Sequence, residues 1–349
     1  MALCLVTGAC GFMGTHMVEI LHAAGHQVRA TDLAAGYDRD DWEVGRFPSV
    51  LKRLGVEFIP ADISQPDTLR PLMSGVEYLF HIAGIFNYAA PWDLLYRVNV
   101  QGSLNLLELV AHQATFKKLV LWGAGGVYDF TQNPGQTSVI DEDFPKKPIN
   151  NYLQSKWDQE EAVVQFCKAR GLCYSVVRPT GVYGPRAIYG GGQMITDPLK
   201  MKRLMVPRNF TFKIPTIHVR DVCRSALYLA EHATTDGEAY NLNDDSQTST
   251  VQYMKMMSEI TGKPFRELPA VPIGLVTGLL TLSAIVGAWR KKTFGGKPPK
   301  FAKDMVKLFG LDILYKNDKL KQTGFKFEYP QFREGLKETV DWYLKEFPK

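Results

Sequence analysis

Tyr152 and Lys156 stand four residues apart in "NYLQSKW", one above the other on a single helix face. A phenol with a pKa near 10 is a poor base at neutral pH. A fixed ammonium group beside it favours the phenolate and makes proton exchange with a hydroxyl or carbonyl practicable. The spacing alone equally describes a solvated helix face, so its meaning depends on what surrounds it. "TGACGFMG" supplies that context, with Gly8, Gly11 and Gly14 between an apolar strand pattern and a helical one. Such a turn brings backbone N–H groups against a pyrophosphate and lets helix pack on strand. Asp32 closes the next strand pattern in "QVRATDL", where a carboxylate accepts both ribose hydroxyls and repels a 2′-phosphate. Leu33, Ala34 and Ala35 bring no basic group, and Arg39 lies farther along, so NAD is expected over NADP. Asp62 in "FIPADIS" ends the third strand at the same edge, as a ligand of the adenine amino group or as an ordinary turn residue.

These residues need a sheet to hold them. Short apolar runs alternate with helical patterns from the first residue, which implies repeated βαβ units. Strands are expected over 2–7, 27–31, 56–60, 78–81, 118–123 and 173–178. Helices are expected over 14–25, 64–75 with Ser64 as N-cap, 92–113 and 151–171. The fold class is therefore α/β, a Rossmann-type doubly wound parallel sheet with a smaller C-terminal substrate-binding lobe. The expected division is a cofactor domain at 1–180 and an interrupted lobe at 181–349, with segments at about 214–245 returning to the first domain.

The 349 residues carry a formal charge of +5, spread along the chain, which argues against a nucleic-acid binder. The five cysteines form no CxxC pair and have no histidine at ligand spacing, so no metal site is expected. The first residues lack a secretory signal pattern, and a cytoplasmic location follows as the expectation. Residues 268–289 contain no charge and are followed by "RKKTFGGKPPK", with five basic residues and no acid. Three readings stay open for that stretch: a buried or lid helix, an interfacial anchor giving peripheral membrane contact through 268–300, or a membrane span.

Taken in order, the motifs resemble those of the extended short-chain dehydrogenase/reductases, which include nucleotide-sugar epimerases and 3β-hydroxysteroid dehydrogenases. "TGACGFMG" is similar to the TGxxGxxG turn, "HIAG" to the fourth-strand end and "VNVQGSLNLLE" to the NVxGTxNLLE helix. "YLQSK" is similar to YxxxK, "RPTGVYGP" to RPxxxYGP, and "IHVRDVCRSALYLAE" to the HVxDVAxA helix. The resemblance covers about residues 1–240. It implies Tyr152 as proton donor or acceptor, Lys156 as a ligand of the nicotinamide ribose and Asn99 as the holder of a water relay. It places Gly8, Cys10, Gly11, Phe12, Met13, Gly14, Asp32, Asp62, Ile63, His81, Ala83, Tyr152, Lys156, Pro179 and Val182 around NAD, with packing favoured over chemistry for His81. It also implies a homodimer.

The family's serine or threonine, three residues before the valine of its VYG element, falls on Ala124, between Gly123 and Gly125. No Ser or Thr occurs from Lys117 through Phe130. One preorganised donor is worth about 10² to 10³ in rate. Tyr128, Thr180, Tyr183 or the backbone N–H groups around Gly125 are the candidate replacements, and Met194 joins the candidate substrate residues. The apolar residues from Met194 to Phe212 favour a lipophilic substrate. Three functions follow: an NAD-dependent oxidoreductase of a sterol, isoprenoid or long-chain lipid; a nucleotide-sugar epimerase, dehydratase or decarboxylase with tightly bound NAD; or a non-catalytic NAD(H)-responsive binding protein. In the second, Arg186, Lys200, Lys202, Arg203, Arg208 and Arg220 would hold a diphosphate.

Overall fold

The computed structural model describes residues 1–132, 137–188, 190–294, 303–306 and 308–347. Seven parallel strands form the main sheet: β1 (Leu3–Thr7), β2 (Gln27–Thr31), β3 (Glu57–Phe58), β4 (Tyr78–His81), β5 (Lys118–Trp122), β6 (Tyr174–Pro179) and β7 (Glu238–Leu242), in the order β7-β6-β5-β4-β1-β2-β3. The order reverses between β1 and β4, which opens a crevice at the carboxyl ends of the strands, where ligands of such sheets bind.

Alternate residues of each strand feed different cores, as the period of two requires. Cys4, Val6, Phe80, Val120, Trp122 and Val177 pack towards α1 (Phe12–Ala23) on one face. Leu5, Leu79, Leu119, Leu121 and Val176 pack towards α2 (Gly102–Val110) and α3 (Asn151–Arg170) on the other. With helices on both faces, the strands read as continuous apolar runs, which is why their positions are legible. A third cluster joins Tyr183, Ile195, Leu204, Tyr253, Phe332 and Leu336 beyond the sheet.

Three local expectations need correction. Ser64 does not cap a helix: its N–H and hydroxyl both donate to Asp62 Oδ1, and the helix starts later, at Pro66–Leu69. The expected helix 92–113 is broken by a π-helical stretch at Tyr96–Gln101. The uncharged stretch splits, Leu268 ending a short strand and Ile273–Phe294 forming α4. Burial of that helix in a core is contradicted, since Leu275, Leu279, Leu282, Val286 and Trp289 are all exposed, Leu279 at 60%. Among the described residues no helix is long and apolar enough to cross a membrane. Residues 295–300 of the basic tail lie outside the described residues.

Candidate functional site

Gly8 adopts φ +67°, a conformation glycine tolerates, and a Cβ there would stand 2.9 Å from the Ala83 backbone. At Gly14 a Cβ would lie 2.0 Å from the Gly8 carbonyl oxygen, so the strand–helix crossing admits no side chain. Gly11 caps α1 without a side-chain bond, which leaves the helix N-terminus facing the crevice. Asp32 sits beside this turn, its two oxygens accepting from the N–H groups of Cys10 (3.0 Å) and Leu33 (2.8 Å). Burial raises its carboxyl, and the two N–H bonds and the Arg46 charge pull the other way. Cys10 is buried and its thiol is pushed up to about 12, chiefly by burial, so it is no nucleophile. The Phe12 side chain points into the core and Met13 O accepts from the Cys223 thiol, leaving their backbone as the part available to a ligand.

On the opposite side of the crevice α3 presents Tyr152 and Lys156. Asn150 starts this helix by accepting from the Leu153 N–H. The Tyr152 ring lies edge-on to Phe86 (5.0 Å between centroids) and Tyr88 (5.4 Å). Phe86 remains 41% exposed, so an apolar surface flanks the phenol. Sequence reasoning missed this pair, which follows β4 in "GIFNY", a stretch without periodicity.

Lys156 is buried, and its ammonium donates to Trp122 O (2.7 Å) and to Gln159 Oε1. Burial brings it down to about 8. Gln159 in turn donates to Ser103 Oγ at 2.7 Å. The hydrogen-bond count fixes the rest of this network. Thr7 Oγ1 accepts from the N–H groups of Ile82 and Ala83, so its own proton goes to His81 Nδ1 at 2.8 Å. His81 therefore carries its proton on Nε2 and donates to Ser103 Oγ at 2.7 Å, while Ser103 donates to Asn99 O at 2.6 Å. Burial holds the imidazole neutral, at about 3. Gln159 went unremarked in the sequence, although its i, i+3 relation to Lys156 was a usable signal.

Several of the expected site residues already hold partners within the protein. Both nitrogens of the His81 ring hydrogen-bond within the protein, to Thr7 and Ser103, which leaves the ring a packing role. The Asn99 side chain accepts from Ile85 N (2.8 Å) and donates to Ser155 Oγ (2.9 Å), and its carbonyl takes the Ser103 proton on one of its two lone pairs. Asp62 Oδ1 accepts from the N–H and hydroxyl of Ser64, and the Oδ2 of the same carboxylate takes no part in that turn. Ile63 is buried against Gly102. Ala83 gives its N–H to Thr7 and its backbone to the close approach of Gly8. Pro179 ends β6 and Val182 lies in the short strand that follows it.

Ala124 is 9% exposed, in a cluster that also takes in Tyr152. None of the three hydroxyls offered as substitutes is free. Tyr128 is fully buried, donating to Asn241 Oδ1 (2.6 Å) and accepting from Arg178 (2.8 Å). Thr180 faces Leu242 O and Asn243 Oδ1, and Tyr183 is buried in the third cluster against Phe332. The Met194 side chain packs on that cluster and its carbonyl accepts from Tyr253. A hydroxyl from far along the chain does reach this place: Tyr315 donates to Gly125 O. Among the described residues no group of three or more acidic, histidine or cysteine side chains could hold a metal ion.

A family model described as "NAD dependent epimerase/dehydratase family" matches residues 4–242. The chain is 29% identical over 247 residues to a Bos taurus "Sterol-4-alpha-carboxylate 3-dehydrogenase, decarboxylating", covering 69% of this chain and 65% of that protein, under two thirds of its length. It is 24% identical over 354 residues to an Arabidopsis thaliana "3beta-hydroxysteroid-dehydrogenase/decarboxylase isoform 1", covering 97% and 79%. Among solved structures it is similar to a UDP-glucose 4-epimerase of Thermus thermophilus in complex with NAD, with TM-score 0.69, 21% identity and 98% of both chains covered, a likeness of fold.

Proposed function

The chain belongs to the NAD dependent epimerase/dehydratase family, and from that premise we propose that it interconverts a secondary alcohol and a ketone on a lipophilic substrate of the sterol, isoprenoid or long-chain lipid class. It is an NAD-dependent enzyme of the extended short-chain dehydrogenase/reductase type. The observation that carries the substrate class is the apolar wall of Phe86 and Tyr88 around the Tyr152 phenol. The printed names of the bovine and Arabidopsis relatives, both sterol or steroid dehydrogenases, support it.

The residues present fit NAD. The Gly8–Gly14 crossing is bare of side chains where a pyrophosphate would approach, the α1 N-terminus is uncapped, and Asp32 keeps a lone pair on each oxygen for ribose hydroxyls. NAD, when bound, supplies the carbon that takes up or returns hydride. The protein's part is acid–base and positional. Tyr152 holds or receives the proton of the substrate oxygen, and the Lys156 cation favours its phenolate. With Tyr128, Thr180 and Tyr183 all engaged elsewhere, the N–H groups of Gly125 and Gly126 are the donors assigned to that oxygen.

A nucleotide-sugar substrate is the second reading, favoured by the likeness to the epimerase structure. Against it, two of the six basic residues it would use are spent: Arg186 pairs with Glu19 (2.5 Å) and Arg220 with Glu328 (3.0 Å). The deciding experiment offers NAD with a panel of 3β-hydroxysteroids and long-chain secondary alcohols, and separately with nucleotide sugars. Stoichiometric NADH with the lipid alcohols is expected; conversion of a sugar nucleotide without net NADH overturns the proposal.

The same reading covers α4. Leu275, Leu279, Leu282, Val286 and Trp289 recur at helical spacing on one exposed stripe, and Arg290, Lys291 and Lys292 follow in sequence. This stripe is assigned to the surface of an anionic bilayer that holds the substrate. Flotation with anionic liposomes tests it: Leu279→Asp with Leu282→Asp should release the protein, and a wild type that never floats refutes the assignment.

A further inference from the structure

The stretch that lacks the family's hydroxyl is held by a residue from far along the chain. Beyond β5, Ala124 is extended and Gly125–Val127 make one tight turn. Gly125 has no room for a side chain, since a Cβ would stand 2.8 Å from Pro179 O. A Cβ on Gly126 would stand 2.8 Å from the Leu153 side chain, so this peptide lies against the neighbour of Tyr152 on α3. The Gly125 carbonyl oxygen accepts from the Tyr315 hydroxyl. Tyr315 is itself firmly placed. It ends the short strand Ile313–Tyr315, which pairs parallel with Ser138–Ile140, and Lys316 N donates to Ile140 O at 2.8 Å. Two residues on, the Asn317 side-chain amide donates to Asn243 O (2.8 Å) and Asp245 Oδ1 (2.7 Å). Ile313 and Ile140 are buried with Ala124 and Leu153 in one cluster, on which Tyr152 and Tyr315 both pack. Burial, with the nearby Tyr128 adding to it, pushes the Tyr315 phenol well above its ordinary value, so it keeps its proton and serves as a donor.

A trans peptide sets its carbonyl and its N–H in opposite directions within one plane. Holding Gly125 O therefore fixes where the Gly126 N–H points, away from Tyr315. A bond accepted at the oxygen also polarises the amide and strengthens its N–H as a donor. Among the described residues the N–H groups of Gly125 and Gly126 have no hydrogen-bond partner. Two successive glycines have the widest choice of backbone conformation, so a donor built from them needs an outside hold before it is preorganised. We infer that Tyr315 is a positioning residue for the reaction: by holding the Gly125 carbonyl it fixes the Gly126 N–H as the donor to the substrate oxygen, at the place where Ala124 offers no hydroxyl. The tyrosine acts through the peptide, its own hydroxyl being spent on the carbonyl.

This inference rests on the assignment of the glycine N–H groups to the reacting oxygen, and two measurements on the full-length protein separate it from that reading. The first needs no substrate. Glycine labelled with carbon-13 at its carbonyl and nitrogen-15 at its amine gives one carbonyl–amide correlation per Gly-Gly peptide, and the sequence has four, at 125–126, 190–191, 191–192 and 295–296. The 125–126 peak is the one lost in Gly126→Ala, whose Cβ meets only the flexible end of Leu153. Tyr315→Phe should shift that peak, its carbonyl upfield, and leave the other three; an unmoved peak overturns the inference. The second is kinetic, with NAD and the alcohol of the lipid panel that turns over fastest. Tyr315→Phe should lower kcat about 10-fold, a share of the 10² to 10³ that one preorganised donor is worth, with KM and NAD affinity kept within about twofold. In an Ala124→Ser background, where a side-chain hydroxyl serves the oxygen, the same change should cost less than about threefold. A residue that merely pinned the C-terminal segment would cost the same in both backgrounds, and that result, or an unchanged kcat, overturns the inference. If only a nucleotide sugar is converted, the same comparison is made on it: the lipid reading falls, and Tyr315 is still judged by the two ratios. A wild type inert towards both panels overturns the assignment of the glycine N–H groups and this inference with it.

Discussion

Removing Gln159 should move a titration. Lys156 drops from 10.5 to about 8 on folding because it is buried, so holding its charge at neutral pH costs about 3 kcal/mol at 1.36 kcal/mol per unit. The sign is that of a depressed lysine: the unfolded chain binds more protons between about pH 8 and 10.5, and stability rises with pH across that window. The Glu160 charge opposes this depression, and Trp122 O and Gln159 Oε1 accept from the ammonium, which also favours its charged form. Gln159→Leu deletes one of them with little change in volume. A hydrogen bond to a charged group is worth about 1.5–3 kcal/mol, which converts to about one to two units. Lys156 should then titrate at about 6–7 and be largely neutral at pH 7.

The cation's help to Tyr152 is present below the Lys156 pKa and lost above it. The assay is therefore turnover at saturating NAD and substrate across about pH 5.5–10, a window that contains both values, with NADH affinity followed in parallel by fluorescence. Wild type should lose rate above about pH 8, and Gln159→Leu should move that limb down by about one to two units. Gln159→Glu, which sets a carboxylate beside the ammonium, should move it up. Circular dichroism checks that each variant folds. A limb at the same pH in all three proteins would refute the reasoning that Gln159 governs Lys156.

Tyr152→Phe should lower turnover by about 10² to 10⁴ with NAD affinity kept, measured by kinetics and calorimetry; full activity would remove the proton role. Ala124→Ser places a hydroxyl where the family keeps one and should raise kcat, by up to about 10² if the glycine N–H groups are a weak substitute. A fall with raised KM would say that the space itself is occupied by substrate. Gly14→Ala forces a Cβ to 2.0 Å from Gly8 O; it should abolish NAD binding and lower thermal stability, by about 1–3 kcal/mol for such overpacking.

The sheet was legible because its strands are buried on both faces and its glycine turn has one mechanical reading. Tyr152, Lys156 and Asp32 were legible for the same reason, as each lies at the end or start of a regular element. What escaped lay in irregular chain or at long range. Phe86 and Tyr88 follow a strand without period, and Tyr315 meets Gly125 across 190 positions. Hydrogen-bond partners are likewise invisible in a sequence. His81, Asn99 and Tyr128 all have the right side chains near the crevice, and each has its polar atoms already engaged. Burial of a polar group requires such partners, so chemistry-bearing residues inside a core are more often scaffolding than site.

The most direct test of an oxidoreductase acting on a lipid alcohol is isotopic. A 3β-hydroxysteroid carrying deuterium on its carbinol carbon is incubated with the protein and NAD, and both products are read by mass spectrometry. The account predicts one deuterium on NADH free in solution and an equal amount of unlabelled ketone. No label in NADH from any lipid alcohol, together with redox-silent conversion of a nucleotide sugar, would contradict it.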